Sequence, residues 1–150
     1  MTRAKPLSKL LIGSKRIITG LTNKRDVKTS GQAMKKKDIQ TWVKALRSGK
    51  YKQTAGSLCR NGETESFCCL GVAIDVLCDG EWEYNESENS WTYNGSRSAK
   101  IFDGHGMPGM KTLKKIGLRK SAAIKLANLN DDGENFKSIA KWIEANQDKL

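Results

Sequence analysis

Residues 67–78 read Phe-Cys-Cys-Leu-Gly-Val-Ala-Ile-Asp-Val-Leu-Cys, an apolar run interrupted only by Gly71 and Asp75. A segment that is apolar almost all round cannot lie on a surface as an amphipathic helix, and it is too short to cross a bilayer. Its length favours a buried helix over a buried strand. Ser66 stands where an N-cap hydroxyl would accept a backbone N–H, and Asp79-Gly80 supplies the turn chemistry that stops a helix. The run therefore predicts a central buried helix over 67–78, wrapped by the rest of the chain. Asp75 on such a helix needs a partner, and Arg47 or Arg60 is the expected one.

The flanking segments supply the wrapping. Upstream, Ile39, Trp42, Val43 and Leu46 fall at i, i+3, i+4 and i+7, one face of a helix with Asp38 as N-cap and Gly49 as its stop. Asn61-Gly62 marks a turn before the central helix. Downstream, Glu81-Trp82-Glu83-Tyr84 and Ser90-Trp91-Thr92-Tyr93 alternate polar and aromatic residues, the signature of a β-hairpin whose aromatic side covers the core. Residues 95–109 read as a Gly-rich loop holding the single histidine, His105. Met110–Ile116 reads as a short basic helix closed by Gly117, and residues 121–129 as a second small apolar segment. Phe136, Ile139, Ala140 and Ile143 repeat the helical spacing, with Trp142 at the edge of the stripe. The pattern as a whole predicts a small single-domain α+β fold over 38–150: a central buried helix, flanking amphipathic helices and an aromatic β-hairpin.

Charge is distributed unevenly. The chain of 150 residues carries +11, and residues 1–37 account for +10 of it, with eleven Lys or Arg against Asp26 alone. Those residues read as a flexible basic arm, because their apolar positions form only loose clusters without an aromatic anchor. Their Ser, Thr, Lys and Arg content also imitates an organelle transit peptide, and Met34 before Lys35-Lys36-Lys37 is equally compatible with the arm being an upstream extension of a shorter functional chain. Within the remainder, residues 61–96 hold eight acids and no Lys or Arg, whereas 97–125 hold eight basic residues against Asp103. Clustered basic charge is the footprint of a polyanion binder. The cations proposed to meet nucleic acid are Lys9, Lys15, Arg16, Lys24, Arg25, Lys35, Lys36 and Lys37 in the arm, and Lys111, Lys114, Lys115, Arg119 and Lys120 in the basic segment.

Other chemistries find little footing. Cys59, Cys68, Cys69 and Cys78 contain no Cys-x-x-Cys pair, and three lie on the apolar run, so they read as buried reduced thiols and not as a zinc site or disulfide framework. Residues 128–133 fit the first six places of a calcium loop, but the twelfth place, where a bidentate Glu belongs, is Ile139; the stretch reads as a polar turn. A Cys with His105 could form a nucleophile and base, but a lone His in a Gly-rich loop reads as exposed and buried thiols without an electropositive partner read as inert. No phosphate-binding loop or dinucleotide fingerprint is present. No metal and no cofactor is expected, no run of apolar residues is long enough to span a membrane, and no secretory signal is visible.

Three stretches carry a resemblance. Trp42-x-x-Ala45-Leu46-Arg47-Ser48-Gly49-x-Tyr51-x-Gln53, Phe67-Cys68-Cys69-Leu70-Gly71-Val72, and Leu129-Asn130-Asp131 before Phe136-x-x-Ile139-Ala140 together resemble a family of small uncharacterised proteins of tailed-phage and prophage genomes. The resemblance spans about 38–147 and implies a bacteriophage origin and expression in the host cytoplasm. It carries no activity and no catalytic residue. Arg47, Tyr51, Gln53 and Asp131 are its polar members; they read either as hydrogen-bond architecture at helix ends or as a motif surface. The functional expectation is a non-enzymatic phage-type accessory protein in a host interaction, binding nucleic acid through the basic arm. The alternative is a protein-binding inhibitor or modulator that presents the acidic 61–96 region to a basic host protein, and a third reading is a small enzyme with a Cys/His site.

Overall fold

Amphipathic stripes and the all-apolar run settle into five helices in the computed structural model, which describes residues 33–60, 64–87, 90–95, 101–102 and 107–150. Lys9, Lys15, Arg16, Lys24, Arg25, the Asn61-Gly62 turn and His105 lie outside the described residues. The helices are α1 (Lys36–Arg47), α2 (Cys69–Leu77), α3 (Met110–Ile116), α4 (Lys120–Asp131) and α5 (Phe136–Ala145). Two small sheets complete a single-domain α+β fold. In one, β3 (Ser66–Phe67) lies between β1 (Lys52–Gln53), to which it is parallel, and β2 (Cys59–Arg60), to which it is antiparallel. In the other, β4 (Gly80–Asn85), β5 (Ser90–Gly95) and β6 (Ile101–Phe102) form an antiparallel meander.

The central helix is α2. Cys69 to Ile74 are all buried, and α2 packs against α1, α4 and α3. It is shorter at its start than the apolar run predicts: Ser66 and Phe67 belong to β3, and the N-cap is Cys68, whose Sγ accepts the Gly71 N–H at 3.4 Å. The reason is non-local. Pairing Ser66 and Phe67 with both β1 and β2 satisfies backbone that a helix would otherwise have to bond. Gly71 faces β2's approach. A Cβ there would stand 1.9 Å from the Leu58 carbonyl oxygen, the same oxygen that accepts the Cys68 N–H at 3.2 Å.

Around α2 the stripes behave as their spacing predicts. Ile39, Trp42, Val43 and Leu46 bury one face of α1, and the Trp42 indole donates to the Cys69 carbonyl at 2.9 Å. Asp38 sits in the first turn of α1 and does not cap it; Lys35 occupies the N-cap position. Phe136, Ile139, Ala140 and Ile143 bury α5 against α1 and α4, with Trp142 half-buried. In the hairpin, Trp82 lies opposite Tyr93 and Tyr84 opposite Trp91, with ring centroids 5.1 and 5.4 Å apart. Tyr51, Phe67, Trp82 and Tyr93 continue as a chain of edge-to-face contacts across both sheets.

Two expectations are corrected by long-range pairing. The stretch 95–109 contains a strand, Ile101–Phe102, registered on Thr92 and Tyr93. Residues 128–131 are helical, because α4 runs to Asp131 and the turn begins only at Asp132 and Gly133 (φ 94°). Asn130, which resembles turn chemistry in the sequence, is buried. Among the described residues, which include all four cysteines, no disulfide forms; Cys59, Cys68 and Cys69 are buried and Cys78 is half-buried. No described helix is long and apolar enough to cross a membrane.

Candidate nucleic-acid interface

Two basic stretches far apart in sequence meet where α1 begins and α3 ends. Gly117 closes α3 in the left-handed region (φ 77°), with its amide on Lys114 O and the next amide, of Leu118, on Leu113 O. A side chain at 117 would come within 3.0 Å of Met34 Cα, so the glycine lets the segment before α1 lie against the end of α3. Lys35, Asp38, Lys114 and Lys115 line one niche of about 80 Å3 there, together with Ala33 and Gly117. Lys36 and Lys37 share the first turn of α1, Arg119 and Lys120 follow Gly117 by two and three residues, and Lys111 stands one turn before Lys114 and Lys115 on α3.

The electrostatics of this corner are unusual for helix ends. Neither α1 nor α4 has a side-chain cap, and both begin with cations: Lys35, Lys36 and Lys37 on α1, Arg119 and Lys120 on α4. A cation at the positive end of a helix dipole is unfavourable by ~0.3–1 kcal/mol, whereas phosphate oxygens are favoured there. Local acids offset the charge only partly. Asp79 bonds Lys115 Nζ at 2.9 Å, Asp38 lies in the niche, and Arg119 donates to the backbone carbonyl of Asp148 at 2.9 Å. By contrast α2 and α5 are capped by Cys68 and Asn135.

The motif residues Arg47, Tyr51, Gln53 and Asp131 fall in three separate places. Arg47 makes a bidentate pair with Glu144 at 2.7 and 2.6 Å, tying α1 to α5; the bond raises the guanidinium pKa and lowers that of the carboxyl. The pair lines a groove of about 560 Å3 together with Ile39 and Val43. Tyr51 donates its hydroxyl to the Asp75 carboxylate in a short bond, and the Trp82 indole donates to the other Asp75 oxygen at 3.1 Å. The expected Arg47 or Arg60 partner of Asp75 is therefore corrected: two neutral donors serve the half-buried carboxylate. Burial, then the bond to Asp75, push the Tyr51 phenol well above its ordinary value.

Gln53 and Asp131 converge on a residue that the sequence reading missed as a site, Asn130. Its Oδ1 accepts from Gln53 Nε2 at 3.0 Å and from the Cys69 N–H at 3.1 Å, while its Nδ2 donates to Thr54 O at 2.7 Å. Gln53 also donates to Glu134 O at 2.7 Å and accepts the Phe136 N–H at 3.1 Å. Asp131 Oδ1 accepts the Gly56 N–H at 2.9 Å. These bonds satisfy the first amides of α2 and α5 and bind segment 53–56 to the end of α4. The available signal was position: Asn130 extends the stripe Ala122, Ala123, Leu126 by one further turn.

The family model described as a domain of unknown function, DUF8296, matches residues 34–147. The chain belongs to the DUF8296 family. The match begins at Met34, the residue that Gly117 admits, so it takes in Lys35, Lys36, Lys37 and the whole basic corner and leaves out residues 1–33. No curated protein and no solved structure matches the chain.

Within the DUF8296 domain, no cluster of three or more His, Cys, Asp or Glu among the described residues could hold a metal ion. Cys69 is fully buried, and burial followed by the neighbouring Cys68 raises its thiol pKa far above the ordinary value, which suppresses the thiolate a nucleophile requires. One buried donor among the described side chains lacks an acceptor, the Trp91 indole.

Proposed function

We propose that this DUF8296 protein is a non-enzymatic accessory protein of bacteriophage type that binds nucleic acid in the host cytoplasm, through the basic corner together with residues 1–37. The observation that carries the reading is the convergence of Lys35, Lys114 and Lys115 on one niche, with Lys36 and Lys37 in the adjoining first turn of α1 and Arg119 and Lys120 two and three residues past Gly117. Phosphate contacts of this kind position a backbone and do not read sequence. Binding is expected to DNA and RNA alike and to be governed by salt.

The test is a mobility-shift titration at several salt concentrations. Engagement of about four phosphates gives a slope near −3.6, so affinity should fall about 150-fold between ~50 and ~200 mM salt. Lys36→Gln and Lys114→Gln should each flatten the slope by about one unit. Removing residues 1–33 should weaken binding, leaving a residue that the corner substitutions abolish. Absence of binding at ~50 mM salt, or a flat salt response, overturns the proposal.

A further inference from the structure

Among the described residues, strand β4 is an edge of its sheet. It is six residues long and pairs there with β5 alone, since the order is β4-β5-β6. Its register runs without a bulge from Gly80 opposite Gly95 to Asn85 opposite Ser90, and it contains no proline. Such an edge leaves backbone donors and acceptors for a further strand; at its first residue the Gly80 N–H is already taken by the Tyr93 hydroxyl at 2.6 Å. The opposite edge is β6, described at Ile101–Phe102.

Natural edges of this length are normally blunted, and β4 is blunted by charge of one sign. Glu81 and Glu83 are exposed along the strand, and Glu86 is exposed in the turn that follows it. The two ion pairs among the described residues, Arg47 with Glu144 and Lys115 with Asp79, involve none of the three. Glu83 is held in place by a short bond from Asn94 Nδ2 on β5. Two copies of β4 laid edge to edge would bring glutamates against glutamates, which disfavours self-pairing. A strand carrying Lys or Arg meets the opposite situation: the same glutamates attract it. On the other face of β4, Tyr84 is 37% exposed, a ring at the surface beside the same edge, and aromatic rings attract cationic side chains.

We infer that the β4 edge is a docking site for a basic, extended segment of a partner protein, which adds to the sheet as a fourth strand. Main-chain bonds to β4 would supply the affinity, and Glu81, Glu83 and Glu86 would select for positive charge. This surface is made by the acidic hairpin and shares no residue with the basic corner, so the fate of one proposal leaves the other standing.

The test uses the full chain, isotope-labelled, and three dodecapeptides: alternating Lys–Val, alternating Glu–Val, and Lys–Val with every second amide N-methylated. The Lys–Val peptide should bind saturably at ~50 mM salt and slow amide exchange along β4. The Glu–Val peptide should bind at least about tenfold more weakly. The N-methylated peptide keeps the charge but loses the main-chain bonds, and should also lose about tenfold or more. Glu81→Lys with Glu83→Lys should reverse the preference toward Glu–Val. Equal binding of the N-methylated peptide would reduce the effect to bulk charge and overturn strand addition. Protection appearing away from β4, or a concentration-dependent dimer of the chain alone that protects β4, would overturn it too.

Discussion

Gly71→Ala is the sharpest probe of how the domain is held together, because local and tertiary effects have opposite signs. In an isolated helix the change stabilises by about 1 kcal/mol, since Ala loses less backbone entropy than Gly. In α2 the new methyl would lie 1.9 Å from Leu58 O and 2.8 Å from Leu58 C, both backbone atoms. Restoring ordinary contact requires the 58–59 segment and α2 to separate by about 1.5 Å. Such overpacking costs about 1–3 kcal/mol. The displaced carbonyl is also the acceptor of the Cys68 N–H, and a buried donor left unmade costs about 1–3 kcal/mol more. The net expectation is a loss of about 2–4 kcal/mol, a large share of the ~5–15 kcal/mol typical of a domain. Urea unfolding followed by circular dichroism should show the midpoint falling by more than about 1 M with little change in slope. Gly109→Ala, with nothing within 4 Å of its added Cβ, serves as the control for added bulk, its own cost being the ~0.5–1 kcal/mol of Ala at the N-cap of α3. A Gly71→Ala variant as stable as the parent, or more stable, would refute the close approach of β2 to α2.

Trp42→Phe should cost about 1–3 kcal/mol by removing the buried indole bond to the Cys69 carbonyl and part of the ring's packing, whereas Trp91→Phe, which removes a donor with no acceptor among the described residues, should change stability by less than about 1 kcal/mol; calorimetry on both variants compares them directly. Asn130→Ala should destabilise by about 2–4 kcal/mol, since it leaves the buried Cys69 amide and the half-buried Thr54 carbonyl without the bonds they make to Asn130, and hydrogen exchange at Cys69 reads the loss. Stability should decline as pH rises past about 9: the folded pKa values of Cys69, Tyr51 and Tyr93 are raised, so the unfolded chain ionises first and the stabilisation present below that range is progressively lost. Urea midpoints from pH 7 to 10.5 follow this, and Tyr51→Phe should flatten the alkaline part of the curve. Cys68 and Cys69 should resist thiol reagents in the native state and label fully once the chain is denatured.

The parts of the fold legible in the sequence are those set by local periodicity. The stripes of α1 and α5 bury the residues their spacing selects, and the alternation of the hairpin sets its register and buries Trp91 and Tyr93 while leaving Trp82 half-buried and Tyr84 exposed. What the sequence hid depends on partners distant along the chain. Ser66 reads as a cap until β1 and β2 claim it for a sheet. Asp75 invites an ion pair, yet Tyr51 and Trp82 reach it first with neutral donors. The same holds for the candidate interface. Lys35 to Lys37 and Lys111 to Lys120 are visible as two runs of charge, but only the packing of Met34 on Gly117 brings Lys35 beside Lys114 and Lys115. Arg119 is partly drawn off by the Asp148 carbonyl, which no spacing rule anticipates.

The Gln53 and Asn130 amides constrain how sequences of this kind can drift. Each completes the other's hydrogen bonding and each also serves backbone in another segment, so neither can be exchanged alone without leaving a buried group bare. A lineage that loses Asn130 must pass through an intermediate of low stability, or replace Gln53 nearly at the same step. Across DUF8296 sequences, positions 53 and 130 should therefore change together or not at all, an inheritance rule set by two side-chain amides 77 residues apart.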